Sequence, residues 1–238
     1  MHFPTHAGVR VHAILVLALA LALLNGAADA EQLAYECGTL DNRYGPFDYS
    51  NPVHYRERLP IVERAHFNRD VESLRRGQTS HLPGEDLDYT LRAFPNHHRA
   101  LYSMLQYHRR HPQAAKPPGT RYRAICWFQR AVVFAPHDPV AHMLYGLFLS
   151  QSGDGEGARR QFELSVALEP DSAEAHYNYG LVLVDLGDYD KALEHAHRAY
   201  ALGFPLPGLR NKLTRAGHWK ALPASTDDGA GDVDDESR

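Results

Sequence analysis

A stretch of 34 residues is written twice, without a gap, between positions 139 and 206. Shifting the chain by that length lays Ala141, His142, Tyr145, Gly146, Leu147, Leu149, Gly153, Asp154, Ala158, Ala167 and Leu168 on Ala175, His176, Tyr179, Gly180, Leu181, Leu183, Gly187, Asp188, Ala192, Ala201 and Leu202. A repeat of this period is the signature of stacked helical hairpins. A single hairpin cannot bury its own apolar side, so each covers its neighbour and the stack offers an extended surface to other chains.

Within each copy the apolar pattern passes from one helix to another across a Gly-Asp turn. Pro139 to Gln151 predicts a first helix with Leu144, Tyr145 and Phe148 on one side, and Gly153-Asp154 breaks it. Glu156 to Leu168 predicts a second, with Ala158, Phe162, Val166 and Leu168 facing back and Pro170 ending it. The next copy predicts helices over Ala173 to Leu186 and Tyr189 to Leu202. Gly146 and Gly180 recur at one place inside the first helix. An interior glycine costs about 1 kcal/mol relative to alanine, so its reuse points to close helix packing.

Both copies resemble tetratricopeptide repeats. Of the positions that define that family, the first copy matches Gly146, Ala158, Phe162 and Pro170, with His142, Tyr145, Leu149 and Ser165 at the others. The second matches Gly180, Ala192 and Ala199 and departs at Phe204, where proline is usual and comes one residue late as Pro205. A degraded third copy lies upstream, with Ala124, Phe128, Ala131 and Pro136 one repeat length before Ala158, Phe162, Ser165 and Pro170. Its first helix is expected over His97 to Arg110, because Pro112, Pro117 and Pro118 exclude helix beyond it. That unit carries an insertion in its turn, so His108 shares the spacing of His142 and His176 but not their place in the repeat. Asp86 to Phe94 reads as the last helix of an older half-unit. After Leu206, a short capping helix is expected to bury Leu209, Leu213 and Ala216, with Trp219 as a packing anchor.

The expected fold is therefore all-α: a solenoid of about three hairpins over residues 86–219, preceded by an irregular aromatic-rich segment over 31–85. Turns at Asp41-Asn42, Gly45-Pro46 and Asn51-Pro52 separate Tyr35, Tyr44, Phe47, Tyr49 and Tyr55, so Glu31 to Pro60 is expected to be coil ordered by its aromatics, with short helices between Pro60 and Gly77, above all over Asn68 to Arg76. This half resembles, less specifically, the leading segment of exported bacterial repeat proteins, through Tyr44 to Tyr49 and Asp88 to His98.

Residues 1–30 read as a secretory signal. Arg10 precedes an unbroken apolar run from Ala13 to Leu24, and Ala28-Asp29-Ala30 supplies small residues for a peptidase. The run is too short to span a bilayer, so the expectation is an exported protein, periplasmic or secreted, with no stable membrane span once the signal is removed. The net charge of −4 is concentrated at the other end. Residues 220–238 hold Asp227, Asp228, Asp232, Asp234, Asp235 and Glu236 and read as a solvated, disordered tail. The remainder is close to neutral and has no basic stripe interleaved with aromatics, which argues against nucleic acid.

No nucleophile elbow, phosphate loop or paired zinc-ligand spacing appears, so no catalytic residue, metal site or cofactor is assigned. What the family resemblance implies is a protein or peptide partner held in a concave groove lined by the first helices. Carried over by position, the groove takes Tyr102, Gln106, Arg109 and Arg110, then Met143, Leu147, Ser150 and Gln151, then Tyr177, Leu181, Val184 and Asp185. Either a partner covers it or the chain's own segment from Tyr35 to Tyr55 folds into it, and the aromatics of that segment favour the second. Sixteen histidines keep a metal-binding alternative open, and export keeps open an accessory role in an envelope transport complex. Cys37 and Cys126 are either two thiols or a disulfide that joins the leading segment to the first hairpin. The oligomeric state is not written in the residues.

Overall fold

The computed structural model describes residues 36–221, and the region read as a signal and all of the acidic tail beyond Ala221 lie outside it. Among the described residues the regular structure is helical. The helices are α1 (Pro52–Glu57), α2 (Leu59–His66), α3 (Arg69–Glu72), α4 (Pro83–Ala93), α5 (His98–Arg110), α6 (Ala124–Phe134), α7 (Pro139–Gln151), α8 (Gly155–Leu168), α9 (Ala173–Asp185), α10 (Tyr189–Ala201) and α11 (Gly208–Arg215). Consecutive pairs from α5 onward form three antiparallel hairpins that stack in chain order, and α11 closes the end against α9 and α10. No described helix is long and apolar enough to cross a membrane.

Each repeat boundary has a local cause. Asp138 caps α7 by accepting from the amides of Val140 and Ala141, with Pro139 in the first turn. The helix ends when Gly153 takes φ +86°, letting the Asp154 amide reach back to the Leu149 carbonyl at 2.9 Å. Gly187, at φ +79°, repeats the device, with the Asp188 amide 2.9 Å from the Leu183 carbonyl. A side chain at either position would be held in the left-handed region, which glycine alone enters without cost. Asp154 then caps α8 through the Gly157 amide at 2.8 Å.

Between hairpins the rings of Phe128 and Tyr145 lie nearly parallel, 6.3 Å apart, and Phe162 and Tyr179 repeat that pairing one unit later at 6.1 Å. The repeated glycines do different work. A Cβ on Gly146 would come within 2.9 Å of the Phe162 ring of its own hairpin. On Gly180 it would come within 2.5 Å of Leu209, because the counterpart of Phe162 is the small Ala196 and the cap supplies the missing volume. Leu209 and Leu213 are buried, whereas Ala216 is exposed, contrary to expectation: it is the residue after α11 and the chain turns away at Gly217.

The stretch read as coil up to Pro60 is partly helical, and short helices follow as expected. Asn51 does not end a coil but caps α1, accepting from Val53 and His54 with Pro52 at the first position. Asn68 caps α3 as expected, yet that helix stops at Glu72 rather than Arg76. Leu74 takes φ +60° and buries its side chain in the core, and the Arg75 amide turns back to the Asp70 carbonyl at 2.9 Å. Tyr44, Phe47 and Tyr49 pack on a second small core of Leu59, Val62, Ala93 and Phe94.

Candidate docking face

The three first helices are neighbours: α5 packs on α7 and α7 on α9. They bring the residues expected to line a groove into one series, but not all of them are open. On α5, Tyr102 is 53% exposed and Arg109 is solvent-facing, bonded to Gln106 at 3.0 Å. Arg110 is committed elsewhere, donating to the carbonyls of Leu74 and Ser73 and so fixing the turn after α3. On α7, Met143 is buried, Leu147 and Ser150 are half-buried and Gln151 is exposed. On α9, Tyr177 is buried under Phe204 with ring centroids 4.2 Å apart, while Leu181 and Val184 are half-buried against the core. Asp185 is exposed but bonded to Lys212 of α11 at 2.5 Å. The surface that remains accessible therefore runs from Tyr102 and Arg109 through Leu147 and Gln151 to Leu181 and Val184.

The expectation that the aromatic segment fills this groove is corrected. Its described part goes to the other core, where Phe47 and Phe94 lie 5.4 Å apart and Tyr49 contacts both His97 and His98. The diversion has two causes. Cys37 and Cys126 form a disulfide that ties the segment to α6, a second helix of a hairpin. Beside it Arg130, 1% exposed, donates to the carbonyls of Cys37, Gly38 and Thr39 at 3.1, 3.0 and 2.7 Å. Burial pushes its guanidinium below the usual range, with Tyr122 and Asp88 opposing. Sequence reasoning missed Arg130, since nothing in its neighbours says that three carbonyls from far upstream converge on it.

A second polar hub fixes the end of the face. Asn96 accepts from the Tyr49 amide and donates to Asp48 and Asp138, and His98 Nε2 lies 2.8 Å from Asp138. Burial works to raise the Asp138 carboxyl, but the bonds from His98, the Ala141 amide and Asn96 outweigh it and hold the group below the ordinary carboxylate range. Asp138 thus stays ionised as the α7 cap while anchoring the leading segment.

Several of the described histidines have structural employment. His97 is buried, caps α5 by accepting from the Ala100 amide through Nδ1, and places Nε2 3.1 Å from Glu63. His142 and His176 repeat one another: their Nε2 atoms meet the carbonyls of Pro136 and Pro170, and their Nδ1 atoms meet the side chains at the shared position of Gln161 and His195. His108 instead packs on Phe148, as the insertion in its unit requires. Among the described residues no group of three or more His, Cys, Asp or Glu side chains is arranged to hold a metal ion.

Residues 173–203, the α9–α10 hairpin, match the family model for the tetratricopeptide repeat. The chain carries a tetratricopeptide repeat. Proteins of curated function yield no sequence match. Among solved structures, the MamA protein is similar at 17% identity, over 67% of this chain and 82% of that one, with a TM-score of 0.48. The Sgt2 tetratricopeptide repeat domain from Aspergillus fumigatus is similar at 22% identity, over 59% and 90%, with a TM-score of 0.40. Tetratricopeptide repeats are typically non-catalytic modules that bind proteins or peptides.

Proposed function

We propose that this protein is a non-catalytic docking scaffold of the bacterial envelope, which holds an extended segment of another protein along α5, α7 and α9. The observation that carries the reading is the series of three adjacent first helices whose accessible side chains alternate between apolar groups (Tyr102, Leu147, Leu181, Val184) and hydrogen-bonding groups (Arg109, Gln151). Half-buried aliphatic groups on a fixed helical frame suit a partner that supplies small apolar side chains, with its backbone amides and carbonyls meeting the polar ones. Work outside the cytosol is supported by the Cys37–Cys126 disulfide, a bond that persists in oxidising compartments, and by the apolar run near the start of the sequence.

The test is affinity capture from the native envelope with the full chain and with a Leu147→Glu, Leu181→Glu variant. A partner should co-purify with the first and not with the second, while both keep the same helical circular dichroism. Retained capture counts against this face. Should the double variant unfold, Tyr102→Ala with Arg109→Glu changes only exposed positions and must weaken capture on its own.

A further inference from the structure

A cavity of about 700 Å³ opens on another part of the molecule, between the leading segment and the helices α2 and α4. Its apolar walls come from Tyr44, Ile61 and Tyr89, and three guanidinium groups, Arg43, Arg92 and Arg121, line it as well. No carboxylate lines it. The volume falls in the range of small-molecule sites, roughly 300 to 1,000 Å³.

The charge there is not cancelled. Arg92 Nε and Arg121 Nε both turn to one carboxylate, Asp88, at 2.9 and 3.3 Å. Arg43 is exposed and has no ion-pair partner among the described residues. Two guanidinium groups therefore share one negative charge and a third has none. The walls are fixed: Tyr89 is stacked on His66 with centroids 3.8 Å apart, and Arg92 Nη1 donates to Asn42 at 2.8 Å, holding the leading segment against α4. Ile61 is 43% exposed at the mouth, an aliphatic side chain presented beside fixed positive charge.

We infer that this cavity is a binding site for a small organic anion, a molecule with a flat apolar body and a carboxylate head. The body lies against Ile61 and the rings of Tyr44 and Tyr89, and the carboxylate meets the guanidinium groups of Arg43 and Arg121, since Arg92 already bonds Asp88 and Asn42. A cation is repelled, and a neutral analogue leaves the excess positive charge unanswered.

The experiment is calorimetric titration of the full chain with 2-naphthoate. The expected result is saturable binding at one site, weakened by about tenfold or more in an Arg43→Gln, Arg121→Gln variant, which removes two charge-assisted contacts. The neutral 2-naphthamide should fail to displace the acid. N-acetylglycylphenylalanine with a free carboxylate separates two sources of the same chemistry: displacement assigns the site to a chain terminus, and no displacement to a free small molecule. Absence of saturable binding, equal affinity in the variant, or equal displacement by the amide overturns the inference. If the double variant does not fold, Arg43→Gln alone decides, because Arg43 is exposed and forms no ion pair among the described residues.

Discussion

The Nδ1 atoms of His176 and His195 face one another at 2.7 Å, and the bond fixes both tautomers. His176 donates from Nε2 to the Pro170 carbonyl at 2.9 Å, so its Nδ1 is bare and accepts from Nδ1–H of His195. Burial first, then the neighbouring His176 and Lys191, lower the His195 pKa from 6.5 to about 4. The unfolded chain accepts a proton that the folded one refuses, so stability is full above about pH 6.5 and falls as pH drops towards 4. Discounted for partial exposure, the loss is of order 1 to 2 kcal/mol. The preceding repeat has Gln161 at this position, so His195→Gln is expected to keep a partner for His176 and flatten this part of the profile. Urea melts of both proteins at pH 7 and pH 4.5 measure the difference.

Gly146→Ala is expected to destabilise by about 1 to 2 kcal/mol, because the overpacking cost exceeds the gain in helix propensity. The new methyl would meet the Phe162 ring at 2.9 Å, and that ring is fully buried against Tyr179. Phe162→Leu in the same chain should recover part of the loss, read as a favourable coupling of about 1 kcal/mol in a double-mutant cycle. Additive effects would place the glycine's role elsewhere.

Replacing Cys37 and Cys126 by serine opens a closed loop spanning 89 positions. The chain-entropy relation puts the loss at about 4 to 5 kcal/mol. Denaturant titration of wild type and double variant reads it, and hydrogen exchange should rise first over residues 37–49, where the bond to α6 is lost.

Tyr44 carries a hydroxyl that is buried and has no hydrogen-bond partner among the described residues. An unsatisfied buried donor costs about 1 to 3 kcal/mol, so Tyr44→Phe should leave the melting temperature unchanged or raise it. A clear fall would mean that the hydroxyl has an acceptor after all, such as a buried water.

The hairpins were legible because a period of identical residues needs no long-range information: Gly153 and Gly187 state their own backbone conformation, and Asp138, Pro139 and Asp154 state where helices begin. What the sequence hid depends on contacts between distant segments. The aromatic segment had side chains suited to the groove, but the pull of Arg130 and Cys126 on residues 37–39 sends it to Phe94. Leu209 fills the space left by Ala196, a substitution visible only once α11 is docked. Tyr177 was placed by family position in the groove, and Phe204, the residue that breaks the family pattern, closes over it.

Hydrogen exchange of the captured complex, set against the free protein, addresses the docking face directly. New protection is expected along α5, α7 and α9, around Tyr102, Leu147 and Leu181, with α6, α8 and α10 unchanged. Protection confined to the second helices, or to the leading segment alone, would contradict it.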